Sequence, residues 1–250
     1  MDLPRELIGD IQSYLNFKSY LTTRTVSHDF SQPYHGEETY KFTNPHIKLP
    51  RYITRVILGS LIENWQIEDS FQLKELELHF NTKISDEGIL ILTNLNVIAL
   101  NDNITEKGLF GKRIENIALE TNKHIDSDVV RKLVHLKVLN CQDSQIDDSA
   151  IENLALETIY LNCNTTITDR GIKHMNLKEL ALDENTNITD NGISHMTNMT
   201  QLFLGKNKNI TNKGIENMLR ITYLGVDDNK NITRKLIDHL FENGKLKKRV

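Results

Sequence analysis

The sequence predicts an α/β solenoid: a curved stack of short units with a parallel sheet on its concave face and short helices outside. Three observations carry this. An aliphatic pattern, L-x-x-L-x-L-x-x-N, starts at Leu73, Leu95, Ile114, Leu136, Leu156, Leu177, Met199 and Ile221, so that eight copies follow one another at about 21 residues. Each copy runs on to a residue able to cap a helix: Ser85, Thr105, Asp126, Asp147, Thr168, Thr189, Thr211 or Thr233. All four prolines, Pro4, Pro33, Pro45 and Pro50, precede the array, where they cannot interrupt it.

Residues 1–30 read as helical. Pro4 suits a first turn, and Leu7, Ile8, Ile11, Tyr14 and Leu15 recur at helical spacing, with a second apolar set at Tyr20, Leu21, Val26 and Phe30. Between about residues 31 and 50 turn formers accumulate, namely Pro33, Gly36, Asn44, Pro45 and Pro50, which predicts a linker or irregular docking segment. A degenerate copy, Ile53, Val56 and Leu58, opens the array.

The copy at Leu177 displays the unit most plainly. Leu177, Leu180 and Leu182 alternate with Lys178, Glu179, Ala181 and Asp183, as a strand with one buried face should. Thr189 then caps a helix with Asp190 in its first turn, and Ile188 can staple onto Ile193. The asparagine position holds Asn81, Asn103, Asn122, Asn164, Asn185, Asn207 and Asn229, with Ser144 the exception. An inward amide must be hydrogen-bonded, and a stack of them can satisfy backbone groups of adjacent turns; the alternative is that they simply form the turn. Both roles are structural. The recurring Gly88, Gly108, Gly171, Gly192 and Gly214 fall at helix starts and form no phosphate loop. Length and pattern together are those of a leucine-rich repeat.

A 250-residue chain is long enough for a substantial core, and 38% hydrophobic with 26% charged content is that of a globular protein. A net charge of −4 speaks against general nucleic-acid binding, and no apolar run approaches a membrane span. The charged start MDLPRELIGD lacks the apolar segment of a signal peptide, which predicts an intracellular chain, cytoplasmic or nuclear. Were the gene a pathogen's, that location would be inside a host cell.

Cys141 takes a core aliphatic position and Cys163 a turn, so neither reads as catalytic, metal-binding or disulfide-forming. No catalytic constellation, metal site or cofactor motif is expected. Sequons at Asn103, Asn164, Asn187, Asn209 and Asn231 are by-products of the turn and cap, and Lys245–Arg249 is a basic tail, more simply a solvated end than an import signal.

Strand alternation places three columns on the concave face. The middle one runs Glu77, Ala99, Ala118, Asn140, Tyr160, Ala181, Phe203, Gly225. The one before it runs Glu75, Val97, Asn116, Val138, Thr158, Glu179, Gln201, Tyr223, and the one after it His79, Asn101, Glu120, Gln142, Asn162, Asp183, Gly205, Asp227. They contain six carboxylates and none of the chain's 30 Lys and Arg. Exposed aromatics gather at Tyr160, Phe203 and Tyr223. Tyr160, Glu179, Asp183, Phe203, Tyr223 and Asp227 are therefore the expected target-binding residues, and a basic, partly apolar protein segment is the expected target.

The opening residues permit a family comparison. LPREL, then Ile11, Tyr14-Leu15, Leu21, and Val26-Ser27 with Phe30, resembles the F-box, roughly L-P-x-E-[LI]-x-x-x-I-x-x-[YF]-L followed by a leucine and V-[CS]-x-x-[WF]. Phe30 stands where Trp is common, and Tyr20 where an acid often precedes the leucine. The repeats, with their I-T-D-x-G-I signature, resemble those that follow an F-box in F-box/leucine-rich-repeat proteins. The organisation implied is an F-box-like unit over residues 1–40, a linker over 41–52 and repeats over 53–250. The resemblance implies a substrate receptor of a Skp–cullin–F-box ubiquitin ligase, itself no enzyme. Leu3, Pro4, Leu7, Ile11 and Leu15 would dock on a Skp-type adaptor, and the repeats would hold a target protein. Two alternatives remain open at this point. Residues 1–30 would also serve as the cap that the end of a repeat array needs, and the repeats alone would serve as a scaffold or inhibitor that recruits no ligase.

Overall fold

The computed structural model describes residues 40–119, 122–226, 229–242 and 248–249. Among these, eleven strands form one parallel sheet in chain order: β1 Tyr40–Phe42, β2 Arg55–Leu58, β3 Glu75–Glu77, β4 Val97–Ala99, β5 Asn116–Ala118, β6 Val138–Asn140, β7 Thr158–Tyr160, β8 Glu179–Ala181, β9 Gln201–Phe203, β10 Tyr223–Gly225 and β11 Lys248–Arg249. Helices of four or five residues link successive strands from β2 to β10, and a longer one, Arg234–Glu242, follows β10. Strands stack about 4.8 Å apart, whereas helices need about 8–10 Å, so the sheet lies on the inner side of the curve.

The register aligns the repeats' central aliphatics. Leu180 faces Ile159 on one side and Leu202 on the other, and all three are fully buried. Cys141 is buried in the same core, and burial pushes its thiol up to about 12. Cys163 sits in a turn with φ 55, the same left-handed turn position as Asp143 and Glu184 in the neighbouring repeats.

The array begins earlier than the sequence implied. The segment read as linker contains β1, whose Lys41 and Phe42 pair with Ile57 and Leu58. Phe42 and Leu49 are buried, and Gly59 donates its N–H to the Phe42 carbonyl at 2.8 Å. The two turn-forming prolines after Phe42 had masked a strand only three residues long. The degenerate copy is likewise complete, with strand β2 and helix Asn64–Ile67. Residues 1–39, and with them Leu3, Pro4, Leu7, Ile11 and Leu15, lie outside the described residues.

Asparagines stitch the repeats together. Asn185 donates to the carbonyls of Leu161 at 3.2 Å and Asn164 at 2.9 Å while its own oxygen accepts the Asn187 and Ile188 amides at 3.0 Å. Asn81, Asn122, Asn164 and Asn207 do the same in their repeats. One assignment needs correction. In the repeat beginning at Leu95 the buried asparagine is Asn101, not Asn103. Asn101 donates to the Ile84 carbonyl at 3.0 Å and accepts the Asn103 amide at 2.9 Å. That repeat reaches its helix two residues sooner, so the amide that lies three residues before the buried isoleucine is Asn101.

A second ladder, on the helical side, explains the T-D-x-G sequence. The Asp169 carboxylate accepts the Thr189 amide at 2.8 Å and the Thr189 hydroxyl at 2.6 Å, one repeat on. Asp86 with Thr105, Asp148 with Thr168, and Asp190 with Thr211 repeat this pair. Each carboxylate occupies the space where a Cβ of the next repeat's glycine would stand: Asp86 above Gly108, Asp148 above Gly171, Asp169 above Gly192 and Asp190 above Gly214. Glycine is therefore a packing requirement here rather than a helix opener. Where the preceding residue is the short Ser127, the glycine position holds Ala150. Where it is Glu106, whose carboxylate turns to Lys132 at 2.6 Å, the position holds Val129. The terminal helix departs, with Leu236 following Asn212. Of the expected caps, Thr105, Asp126, Asp147, Thr168, Thr189 and Thr211 accept helix amides, and Thr233 accepts the Leu236 amide at 3.4 Å. Ser85 does not cap its helix, because its hydroxyl accepts from Asn64 at 2.9 Å and donates to Glu87.

Candidate protein-binding face

The sheet face is flatter and more closed than strand alternation alone implied. Ala99, Ala118, Asn140 and Ala181 of the middle column are buried, as are Asn101 and Thr158 beside it. Strands about 4.8 Å apart bring neighbouring side chains over any small residue between them. Ala181, flanked in register by Tyr160 and Phe203, retains only 3% of its exposure. The expected aromatics are consequently half-buried rather than exposed.

Two groups meet on β7 to β10. The Tyr160 hydroxyl donates to Glu179 Oε1 at 2.9 Å, tying β7 to β8. Burial raises the pKa of Glu179, and the Tyr160 hydrogen bond opposes that shift. The Phe203 and Tyr223 rings lie 4.8 Å apart and tilted by 38°, an arrangement aromatic pairs favour. Both rings lean over Gly225, where an added Cβ would come to 3.5 Å from Phe203 and 3.6 Å from Tyr223. Tyr160, Glu179, Phe203 and Tyr223 are thus brought onto one stretch of the sheet.

Asp183 makes turn contacts instead. Its carboxylate accepts the Lys206 amide at 2.7 Å, and its own amide donates to Asn162 at 2.9 Å. Gly205, with φ 43, has no Cβ to collide with that carboxylate. Asp183 holds a turn together, and Gly205 is glycine to accommodate it. Asp227 lies outside the described residues.

The face is also less uniformly acidic than the column census implied, because the sheet extends two strands before residue 73. Arg55 of β2 stands in register with Glu75 of β3, and its Nε donates to Glu75 at 2.7 Å with only 8% of the residue exposed. Lys41 of β1 lies 5.9 Å from the Phe80 ring centre, and Phe80 packs edge-on to His79 at 4.2 Å. His79 is also 3.9 Å from Glu77. Burial, then the Lys41 charge, lowers the His79 pKa. At the rim, Lys178 pairs with Glu157 at 2.5 Å and Lys206 with Glu184 at 2.8 Å. Among the described residues no three His, Cys, Asp or Glu converge as a metal site, and no helix is long and apolar enough to cross a membrane.

Fold and repeat pattern together define a leucine-rich-repeat solenoid whose sheet side offers a continuous surface. The family model described as Leucine Rich repeat matches residues 173–194. No curated protein matches the sequence. Among solved structures, a chain of the Rad7 and Elc1 complex in yeast is similar, with a TM-score of 0.58 at 16% identity over 77% of this chain and 60% of that one. This chain therefore spans less than two thirds of that neighbour. A chain of the Toll–Spatzle complex from Drosophila gives 0.47 at 15% identity, covering 76% of this chain and 36% of that one. An internalin, InlF, from Listeria monocytogenes gives 0.48 at 15%, covering 79% and 72%.

Proposed function

We propose that this chain is the substrate-recognition receptor of a Skp–cullin–F-box-type ubiquitin ligase, holding a target protein on the sheet side of its repeats. The observation that carries the reading is the joint presence of the F-box-like LPREL opening with Ile11 and Leu15 and, on β7 to β10, the half-buried group Tyr160, Glu179, Phe203 and Tyr223. The first supplies an adaptor-docking segment through Leu3, Pro4, Leu7, Ile11 and Leu15. The second supplies aromatic anchors, among them tyrosines of the kind enriched where binding energy concentrates, beside a carboxylate. A chain with the same fold occurs in the complex of Rad7 with Elc1, so the solenoid is compatible with a partner protein.

The chain's role is proximity. A ligase partner performs the chemistry, and the receptor converts a rare encounter between the target and that partner into an effectively intramolecular one. The test is capture of a purified Skp-type adaptor by the full chain. The wild type should bind, and a Leu7→Asp, Ile11→Asp double variant should not, with unchanged thermal unfolding of the repeats. No measurable affinity of the wild type for such adaptors would refute the ligase assignment and leave a protein-binding scaffold.

A further inference from the structure

The paired carboxylates of the sheet differ in one respect. Glu75 and Glu179 occupy the same column, on β3 and β8. Glu75 has its cation within the chain: Arg55 lies in the adjacent register position, 8% exposed, with Nε donating at 2.7 Å. Glu179 has neutral register neighbours, Thr158 and Gln201. Its hydrogen-bond partner among the described residues is the Tyr160 hydroxyl, which engages Oε1 and leaves Oε2 for another donor. Lys178, next to Glu179 in the chain, is held by Glu157, and Lys206 of the following repeat by Glu184. A half-buried carboxylate has lost part of its hydration, so a cation that reaches it gains more than it would at a fully wet surface.

We propose that Glu179 and Tyr160 form a seat for one arginine side chain of the bound protein, with its guanidinium donating to Glu179 Oε2 and lying against the Tyr160 ring. This rests on the reading of the sheet side as the target-binding face and names what that face recognises. Arginine is chosen over lysine for two reasons. A planar guanidinium both forks onto a carboxylate and stacks on an aromatic ring, whereas an ammonium offers only a point charge. The Arg55–Glu75 pair also demonstrates that this column accommodates a guanidinium lying along the sheet beside a glutamate. The Phe203–Tyr223 pair, 4.8 Å between centroids, provides the adjoining apolar surface for the residues that flank the arginine.

The probe is N-acetylarginine amide, titrated into the full chain and followed by amide chemical shifts. Saturable shifts are expected at Tyr160, Glu179 and Ala181, with a millimolar dissociation constant, in the range of a single small group. N-acetylcitrulline amide, the same shape without the charge, should bind about tenfold more weakly or not at all. Glu179→Gln should weaken the arginine probe by a similar factor. Because Gln keeps an oxygen for the Tyr160 hydroxyl, this variant preserves the β7–β8 tie. Equal response to arginine and citrulline, equal binding by Glu179→Gln, or no shifts at these residues would each overturn the seat. A protein partner that loses affinity on Tyr160→Ala and Phe203→Ala but not on Glu179→Gln would overturn the arginine seat while leaving the face itself in place. A partner indifferent to all three would refute the face.

Discussion

Replacing Gly214 by Ala tests the helical-side ladder directly. An added Cβ would stand 2.5 Å from Asp190 Oδ1, where ordinary contact begins near 3.4 Å, so the carboxylate must retreat by roughly an ångström. Such a retreat takes the Oδ1 bond to the Thr211 amide, 2.8 Å, out of hydrogen-bonding range. Losing a charge-assisted bond to a helix-capping residue costs about 1.5–3 kcal/mol, against which Ala in a helix gains up to about 1 kcal/mol over Gly. The expected net loss is about 1–2 kcal/mol. Asp190→Ser removes the obstructing carboxylate and recreates the Ser127–Ala150 combination that the chain already contains. In that background Gly214→Ala should be neutral or stabilising by up to about 1 kcal/mol, giving a coupling of about 2 kcal/mol between residues in neighbouring repeats. Equilibrium urea unfolding of the four chains, with equal slopes, measures it. Equal cost for Gly214→Ala in both backgrounds would refute the ladder as the reason for the glycine.

The reassigned asparagine gives a second test. Asn101→Ala strands the buried Ile84 carbonyl and should cost about 1–3 kcal/mol, whereas Asn103→Ala, at an exposed position, should cost about 1 kcal/mol or less by the same urea measurement. The reverse ranking would restore Asn103 to the ladder. A third test uses acid. The folded pKa of Glu179 is raised by burial, so its favourable contribution is fully present below the unfolded carboxyl pKa and is lost as pH rises through the folded value. Gln cannot ionise; Glu179→Gln should therefore raise Tm relative to wild type at pH 7, and the gap should close near pH 3.5, below the ordinary glutamate range of about 4.3. A gap that is constant across this interval would exclude burial of the charge as its cause.

Strand, turn, cap and core position were legible because each is decided within one repeat. Alternation buries Leu177, Leu180 and Leu182, and Thr189 caps the helix a few residues on. What escaped sequence reading couples one repeat to the next. The Asp190–Thr211 bonds and the Gly214 packing join residues about 20 apart, and no local pattern states which side chain fills the space above a given glycine. The same limit applies to the sheet face. Alternation says that Ala181 points away from the core, but its closure depends on Tyr160 and Phe203 in adjacent strands. Arg55 precedes the first strong copy, so the repeat pattern alone does not place it on the face, whereas the sheet among the described residues reaches back to Tyr40. For Asn101, fixed spacing from the first leucine was the misleading signal, and spacing back from the buried isoleucine identifies it.

The two carboxylates expected to meet a target should separate when they are replaced. Glu179 opens β8 and Asp183 lies in the turn just after it, so the two looked equivalent in sequence. Asp183 holds the Lys206 amide beside Gly205, so Asp183→Lys removes a turn contact and places a long side chain against a backbone at φ 43. Any loss of binding in that variant arrives with a loss of stability, and the two cannot be told apart by affinity alone. Glu179 has the opposite balance. It bonds a neighbouring tyrosine that Gln still satisfies, and its charge is held in a half-buried site at an unfavourable pKa. The Tyr160 hydrogen bond favours the charge less than burial disfavours it, and a carboxylate kept at such a net cost is a candidate binding group. Glu179→Gln should therefore raise Tm at pH 7 while weakening the arginine probe, and Asp183→Lys should lower Tm. Paired thermal unfolding and titration of the two variants decides it: if Glu179→Gln lowers both Tm and binding as Asp183→Lys does, Glu179 is a structural tie like its neighbour and the functional reading of its charge fails.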